Sequence, residues 1–122
     1  MVTQIKNRNG IESKRIEVNG LSLHCLEAGT GEPVLLLHGW PTNAQLWRHV
    51  LGIASRHRRV IALDLPGFGE SEKPLGVRYT YQFYADAIDG ALSALGVEST
   101  DTIGLGVHDM GGPIGLFWAA RI

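Results

Sequence analysis

The sequence predicts an α/β fold: a mostly parallel sheet with an opening antiparallel hairpin and flanking helices. Three observations predict it. Short runs such as 34–37, 60–63 and 102–107 are apolar almost throughout, as suits strands covered on both faces. The stretches between them carry apolar residues at helical spacing. Strand-like and helix-like segments alternate after the hairpin, which is the order that builds parallel βαβ units. The 122 residues fit one domain, read as a flexible segment over 1–12 and a folded portion over 13–122.

The elements follow in order. Residues 15–18 and 21–27 alternate apolar and polar around Asn19-Gly20. Both central residues of a type I′ turn need positive φ, which Asn and Gly tolerate, so this is a β-hairpin. Residues 29–33 form a second turn, and 34–37 a buried strand. A helix follows from Thr42 or Asn43 as N-cap to Ser55, with Leu46, Trp47, Val50, Leu51 and Ala54 on one face. Residues 60–63 are another buried strand, and 64–77 are loop, with three glycines and two prolines. A second helix starts near Thr80, carries Tyr84, Ile88, Leu92 and Leu95 on one stripe, and stops at Gly96. Residues 102–107 form a third central strand. Gly111-Gly112-Pro113 opens a third helix with the stripe Ile114, Phe117, Trp118 and Ile122. Proline is tolerated there because first-turn N–H groups have no helical partner.

Composition narrows the function classes. Hydrophobic residues make up 44%, charged residues 19% and the net charge is −1. That composition is globular, and it carries no basic footprint for nucleic acid. Cys25 is the single cysteine. It cannot form an internal disulfide, and a reducing compartment fits better. No apolar run approaches the ~20 residues of a membrane span, and the polar N-terminus lacks the apolar core of a secretory signal. The expectation is a cytoplasmic chain without membrane or nucleic-acid partners, and nothing in it calls for a cofactor.

In such sheets ligands bind beyond the carboxyl ends of the strands, which selects the loops after Leu37, Leu63 and Val107. His108-Asp109-Met110-Gly111-Gly112 turns from strand to helix and exposes Asp109 at its apex, where the Gly-x-Ser-x-Gly elbow presents its nucleophile. The helix N-terminus behind favours an ionised carboxylate. Asp is also a favoured helix N-cap, and on this loop alone capping is the simpler account. The loop His38-Gly39-Trp40-Pro41 shifts the balance. A backbone N–H from such a loop completes an oxyanion hole with the N–H that follows the nucleophile. The donors here would be Trp40 and Met110, with His38, Gly39, Pro41 and His108 lining the site. The third loop, from Asp64 to Ser71, reads as a structural turn in which Asp64 bonds local backbone.

The His-Gly-x-Pro loop, the Asp-x-x-Gly-x-Gly-x-Ser turn and the elbow, in this order, resemble the α/β-hydrolase superfamily over residues 15–122. Aspartate at the nucleophile position is similar to the branch that holds epoxide hydrolases and haloalkane dehalogenases. The resemblance implies the N-terminal portion of that fold. A carboxylate that attacked an ester would form a reactive anhydride. One that attacks an sp³ carbon forms a stable ester that water later cleaves. Asp109 therefore points to an epoxide or an alkyl halide as its small organic substrate.

The resemblance also helps to separate these two. Dehalogenases often hold halide with a Trp after the nucleophile, where this chain has Met110, and some use an Asn at the place of Trp40. Epoxide hydrolases commonly carry an aromatic residue in His-Gly-x-Pro and a His before the aspartate, matching Trp40 and His108. Val107 and Gly-Gly-Pro-Ile-Gly lean towards dehalogenases. The balance favours an epoxide hydrolase-like enzyme, with a haloalkane dehalogenase-like one as the alternative.

The other conspicuous residues have plainer accounts. His24 and His49 lack metal-ligand spacing. His108 is as well placed for a structural hydrogen bond as for the site. Arg56-His57-Arg58-Arg59 sits where it complements a helix dipole. Family members add a cap, an orienting acid and a catalytic histidine after the elbow helix, and none of the five histidines here matches that position. Two further readings follow: a truncated non-catalytic fragment or pairing module, and an esterase relative inactivated by aspartate at the serine position. An elbow strand with no neighbour on one side would leave an apolar edge open. The isolated chain is therefore expected to self-associate or to pair with a missing C-terminal half.

Overall fold

The structure, a computed structural model, describes residues 2–6, 10–98 and 101–121. Six strands, β1 (Val2–Lys6), β2 (Glu12–Val18), β3 (Leu21–Ala28), β4 (Pro33–Leu37), β5 (Arg59–Leu63) and β6 (Gly104–Val107), form one sheet in the order β1-β2-β3-β5-β4-β6. The first three run antiparallel and β3 joins β5 antiparallel, whereas β5, β4 and β6 are parallel. The helices are α1 (Arg48–Ala54), α2 (Tyr81–Ala94) and α3 (Gly111–Arg121). None of the described helices is long and apolar enough to cross a membrane.

Continuous apolarity in the central strands reflects two covered faces. Along β4, Leu35 and Leu37 face one core with Ile61 and Leu63 of β5, closed by Tyr84, Ile88 and Leu92 of α2 and Ile114 and Trp118 of α3. Leu36 faces the other core with Val60 and Ala62, closed by Leu51 of α1. Each fully buried leucine or isoleucine contributes about 1.5–3 kcal/mol relative to exposure. The hairpin turn is as its residues dictate, with Asn19 at φ 52° and Gly20 at φ 82°.

The structure departs from the sequence expectations in four places. Within residues 1–12, Val2–Lys6 is laid as a strand along β2, with Val2 opposite Ile16 and Lys6 opposite Glu12. A main-chain ladder needs no apolar pattern, so composition carried no signal for it. The first predicted helix begins with Asn43 as cap, its Oδ1 accepting from the Gln45 N–H at 2.9 Å, but Ala44–Trp47 is a 3₁₀ turn. Three residues per turn rotate the stripe. Ala44 and Leu51 are buried, whereas Leu46 and Val50 are exposed. The third strand begins at Gly104 rather than Thr102, because β4 pairs with it only from Val34 to Leu37. On α3, Ile114 and Trp118 are buried and Phe117 is 38% exposed, while Ile122 lies outside the described residues.

Candidate active site

The parallel strands β4 and β6 end side by side, with Leu37 opposite Val107, so the loops that follow meet. The His108 N–H donates to the Leu37 carbonyl at 3.1 Å, extending the ladder by one residue. The chain then reverses. Asp109 has φ 53°, a left-handed conformation that costs a non-glycine residue energy and persists only where the surroundings enforce it. Here the Gly111 N–H bonds the His108 carbonyl and the Gly112 N–H the Asp109 carbonyl, both at 2.9 Å, which starts α3 directly behind the aspartate. The side chain of Asp109 is exposed.

Two glycines permit this approach. A Cβ on Gly39 would collide with the Asp109 Cβ and lie 2.8 Å from the His108 carbonyl. A Cβ on Gly111 would lie 2.6 Å from the carbonyls of Leu37 and His38. The two loops are therefore in backbone contact. The Trp40 N–H donates to Asp109 Oδ2 at 3.0 Å. Backbone hydrogen bonds from Met110 and then Trp40 hold the Asp109 carboxyl below the usual carboxylate range, and His108 adds a smaller effect in the same direction. Both donors expected from the sequence thus converge on Asp109. They leave it an ionised, exposed carboxylate with its backbone fixed.

The other expected residues divide. Trp40 is 67% exposed through its side chain and follows on to Pro41 through a cis peptide; both lie at the surface beside Asp109. Gly39 is the contact point. His38, expected to line the site, is instead fully buried behind the loop. Its Nδ1–H donates to the Gly39 carbonyl at 2.9 Å, and its Nε2 accepts from the Leu65 N–H at 3.0 Å. With both nitrogens engaged and its edge towards Phe68, His38 ties the first loop to the third. Burial lowers its pKa from 6.5 against the Gly39 carbonyl and Asp64, so the ring is neutral. His108 has an exposed ring that forms no side-chain hydrogen bond with a described residue; its structural bond is made by the backbone.

Sequence reasoning missed part of the surroundings. Thr42 closes the Trp40 loop, with its N–H and Oγ1–H donating to the Gly39 carbonyl at 2.9 and 2.7 Å. Asp64 does more than bond its own turn: its Oδ1 accepts from the Ala44 N–H at 2.6 Å and fixes the exit of the same loop. A groove of about 470 Å³, lined by Tyr79, Tyr81, Tyr84, Pro113 and Ile114, runs up to Met110. The three tyrosines come from a segment whose spacing said only that it was helical. Among the described residues no group of His, Cys, Asp and Glu is arranged to hold a metal ion.

Comparisons with known proteins identify the family and the fold. The family model described as alpha/beta hydrolase fold matches residues 32–122. A haloalkane dehalogenase of Sphingobium indicum is 41% identical over 113 residues, covering 90% of this chain and 38% of that protein. A soluble epoxide hydrolase of Corynebacterium sp. is 37% identical over 102 residues, covering 84% of this chain and 34% of that protein. The crystal structure of an epoxide hydrolase from Vigna radiata superposes with a TM-score of 0.85 at 34% identity, covering 95% of this chain and 36% of that one. The chain therefore spans little more than a third of the length of these relatives.

Proposed function

This chain belongs to the alpha/beta hydrolase fold family, and on that premise we propose that Asp109 is the nucleophile of an epoxide hydrolase-like enzyme. The observation that carries the reading is the carboxylate itself, at positive φ on the elbow, with two backbone N–H groups directed at it. The Trp40 N–H occupies Oδ2 and leaves Oδ1 for attack. Attack on an sp³ carbon of an epoxide forms the Oδ1–C bond and opens the ring, leaving an alkoxide that takes up a proton. In the resulting ester Oδ2 is the carbonyl oxygen. When water adds to that ester, negative charge develops on Oδ2, where the Trp40 N–H already points. Water activation requires a general base. His38 cannot serve, since it is buried with both nitrogens bonded.

The groove that reaches Met110 is apolar and aromatic on its walls and suits the hydrocarbon part of such a substrate. The Met110 side chain has no N–H to offer a leaving halide, which favours the epoxide. A haloalkane dehalogenase-like activity is the second reading. It is supported by the exposed indole of Trp40 and by the likeness to the Sphingobium indicum enzyme.

The test is a covalent one that needs no turnover. The chain is incubated separately with an aryl epoxide and with a bromoalkane, digested, and its peptides weighed. An ester adduct on the Asp109 peptide, absent from Asp109→Asn, is expected. Adduct from the epoxide alone supports the first reading, and adduct with bromide release supports the second. No adduct from either reagent on folded protein overturns both and leaves a non-catalytic module or an inactivated esterase relative.

A further inference from the structure

The deepest polar cluster outside the elbow lies across the sheet from it, on the side of α1. His24 of β3 is buried, and its Nδ1 lies 2.8 Å from Asp64 Oδ2. Its other nitrogen, Nε2, lies 2.7 Å from the Ser13 hydroxyl oxygen of β2. Asp64 is held rigid by the N–H groups of Ala44 at 2.6 Å and Glu70 at 2.9 Å. Although burial alone would raise its pKa, the bonds from His24, Ala44 and Glu70 bring it below the usual range. The acid therefore stays ionised. It fixes the imidazole with Nδ1 as donor, so that Nε2 is the acceptor for the Ser13 proton. The hydroxyl of Ser13 is at the open end of this line, in a cleft of about 380 Å³ that Asn43, Gln45 and Glu70 also line.

We propose that Ser13, His24 and Asp64 form a second nucleophilic site, independent of Asp109, at which Ser13 accepts acyl or phosphonyl groups from activated esters. The order of contacts, hydroxyl to one ring nitrogen and carboxylate to the other, is the one in which a histidine acts as general base for a serine. In the acyl-transfer step a bond forms from Ser13 Oγ to the carbonyl carbon, and the hydroxyl proton passes to His24 Nε2. Collapse breaks the bond to the leaving alkoxide or phenoxide, which takes that proton. Between those events the imidazolium lies between Asp64 and Glu70, whose Oε2 is 3.7 Å from Nε2, so its charge is balanced on both sides. Asn43 and Gln45 line the same cleft, and their side-chain amides are the donors we assign to the carbonyl oxygen of an ester as it gains charge.

A fluorophosphonate probe tests the proposal without relying on epoxide or halide chemistry. Attack by Ser13 Oγ would form the O–P bond and expel fluoride, and carboxylates such as Asp109 do not retain that label. We expect a single phosphonyl mass increment on the Ser13 peptide of the folded chain. Ser13→Ala, which preserves the β2 ladder, should remove it, and His24→Gln should slow it about a hundredfold, the scale of a general base. A folded wild-type chain without label on Ser13 overturns the proposal, as does equal labelling of Ser13 in folded His24→Gln. Loss of Asp109 alkylation with Ser13 labelling intact would sink the elbow reading and leave this one standing.

Discussion

Strands β5 and β6 flank β4 in the same parallel ladder, yet they are built differently. Four of the five residues of β5 are buried, and the strand is paired on both edges, to β3 and β4. No residue of β6 reaches that burial, and β6 pairs only with β4 among the described strands. Val107, the residue from which the elbow springs, is 39% exposed, and Leu116 on α3 nearby is 67% exposed. Asp109, the proposed nucleophile, thus follows the least buried of the strands β2 to β6, and the loop that meets it follows β4. The elbow is held by local geometry rather than by core burial. Its restraints are the His108–Leu37 bond, the α3 start and the glycine contacts at Gly39 and Gly111.

The contact at Gly39 is where the elbow is most easily disturbed. Gly39→Ala should separate the loops, withdraw the Trp40 N–H from Oδ2 and slow hydrolysis of the Asp109 ester adduct about 10²–10³-fold, the cost of one lost oxyanion donor where water adds to the ester. The stability of the fold should change far less. Time-resolved mass measurement of the adduct checks it, and an unchanged rate would refute the local account.

Next in size is a contrast of stabilities. Leu63→Ala in β5 should cost about 2–5 kcal/mol by opening a cavity in the core. Val107→Ala in β6 should cost under about 1 kcal/mol, because a half-exposed side chain loses little packing. Urea unfolding of both variants reads the difference, and equal losses would mean that β6 is buried in solution by another surface.

That possibility has its own test. An open strand edge with apolar neighbours templates pairing with a second chain. Val107→Lys places a charge on this edge and should reduce the weight-average mass in sedimentation equilibrium towards that of one chain, with the far-ultraviolet dichroism unchanged. A mass that stays high would move the contact elsewhere.

The smallest expected effect concerns His38, which joins the loops after β4 and β5. Its folded-state pKa lies below 6.5 because of burial, opposed by the Gly39 carbonyl and Asp64. The unfolded chain therefore takes up this proton first. The contribution of His38 to stability is complete above 6.5 and is lost as the pH falls from there through the folded-state value. His38→Gln should flatten the stability–pH curve in that window while lowering the plateau by about 1 kcal/mol, the scale of one hydrogen bond. A slope unchanged by the substitution would assign it to another group.

Much of the fold and of the site was legible in the residues. Asn19-Gly20 dictated the hairpin turn, and the runs of apolar residues marked β4 and β5 as strands covered on both faces. The spacing of Tyr84, Ile88 and Leu92 chose the buried face of α2. Asp109, Trp40 and Met110 were recognisable as a set because an elbow needs glycines around it and a donor loop needs a strand before it. Less legible were features that depend on backbone alone or on distant partners. The β1 ladder is made of N–H and C=O groups that every residue carries. The 3₁₀ turn displaced Leu46 and Val50 from the stripe their spacing implied.

Local chemistry therefore determined which segments are strands and helices, where they turn, and that a carboxylate stands at the apex of the third loop, because propensity, periodicity and turn geometry act over a few residues. The tertiary structure decided what those residues do. Sheet register brought Trp40 onto Asp109 across 69 positions of sequence, withdrew His38 from the site into the core, and aligned Ser13, His24 and Asp64 from three separate strands and loops. Such contacts depend on which strands become neighbours, and that choice is made by the burial of both sheet faces together rather than by any one segment.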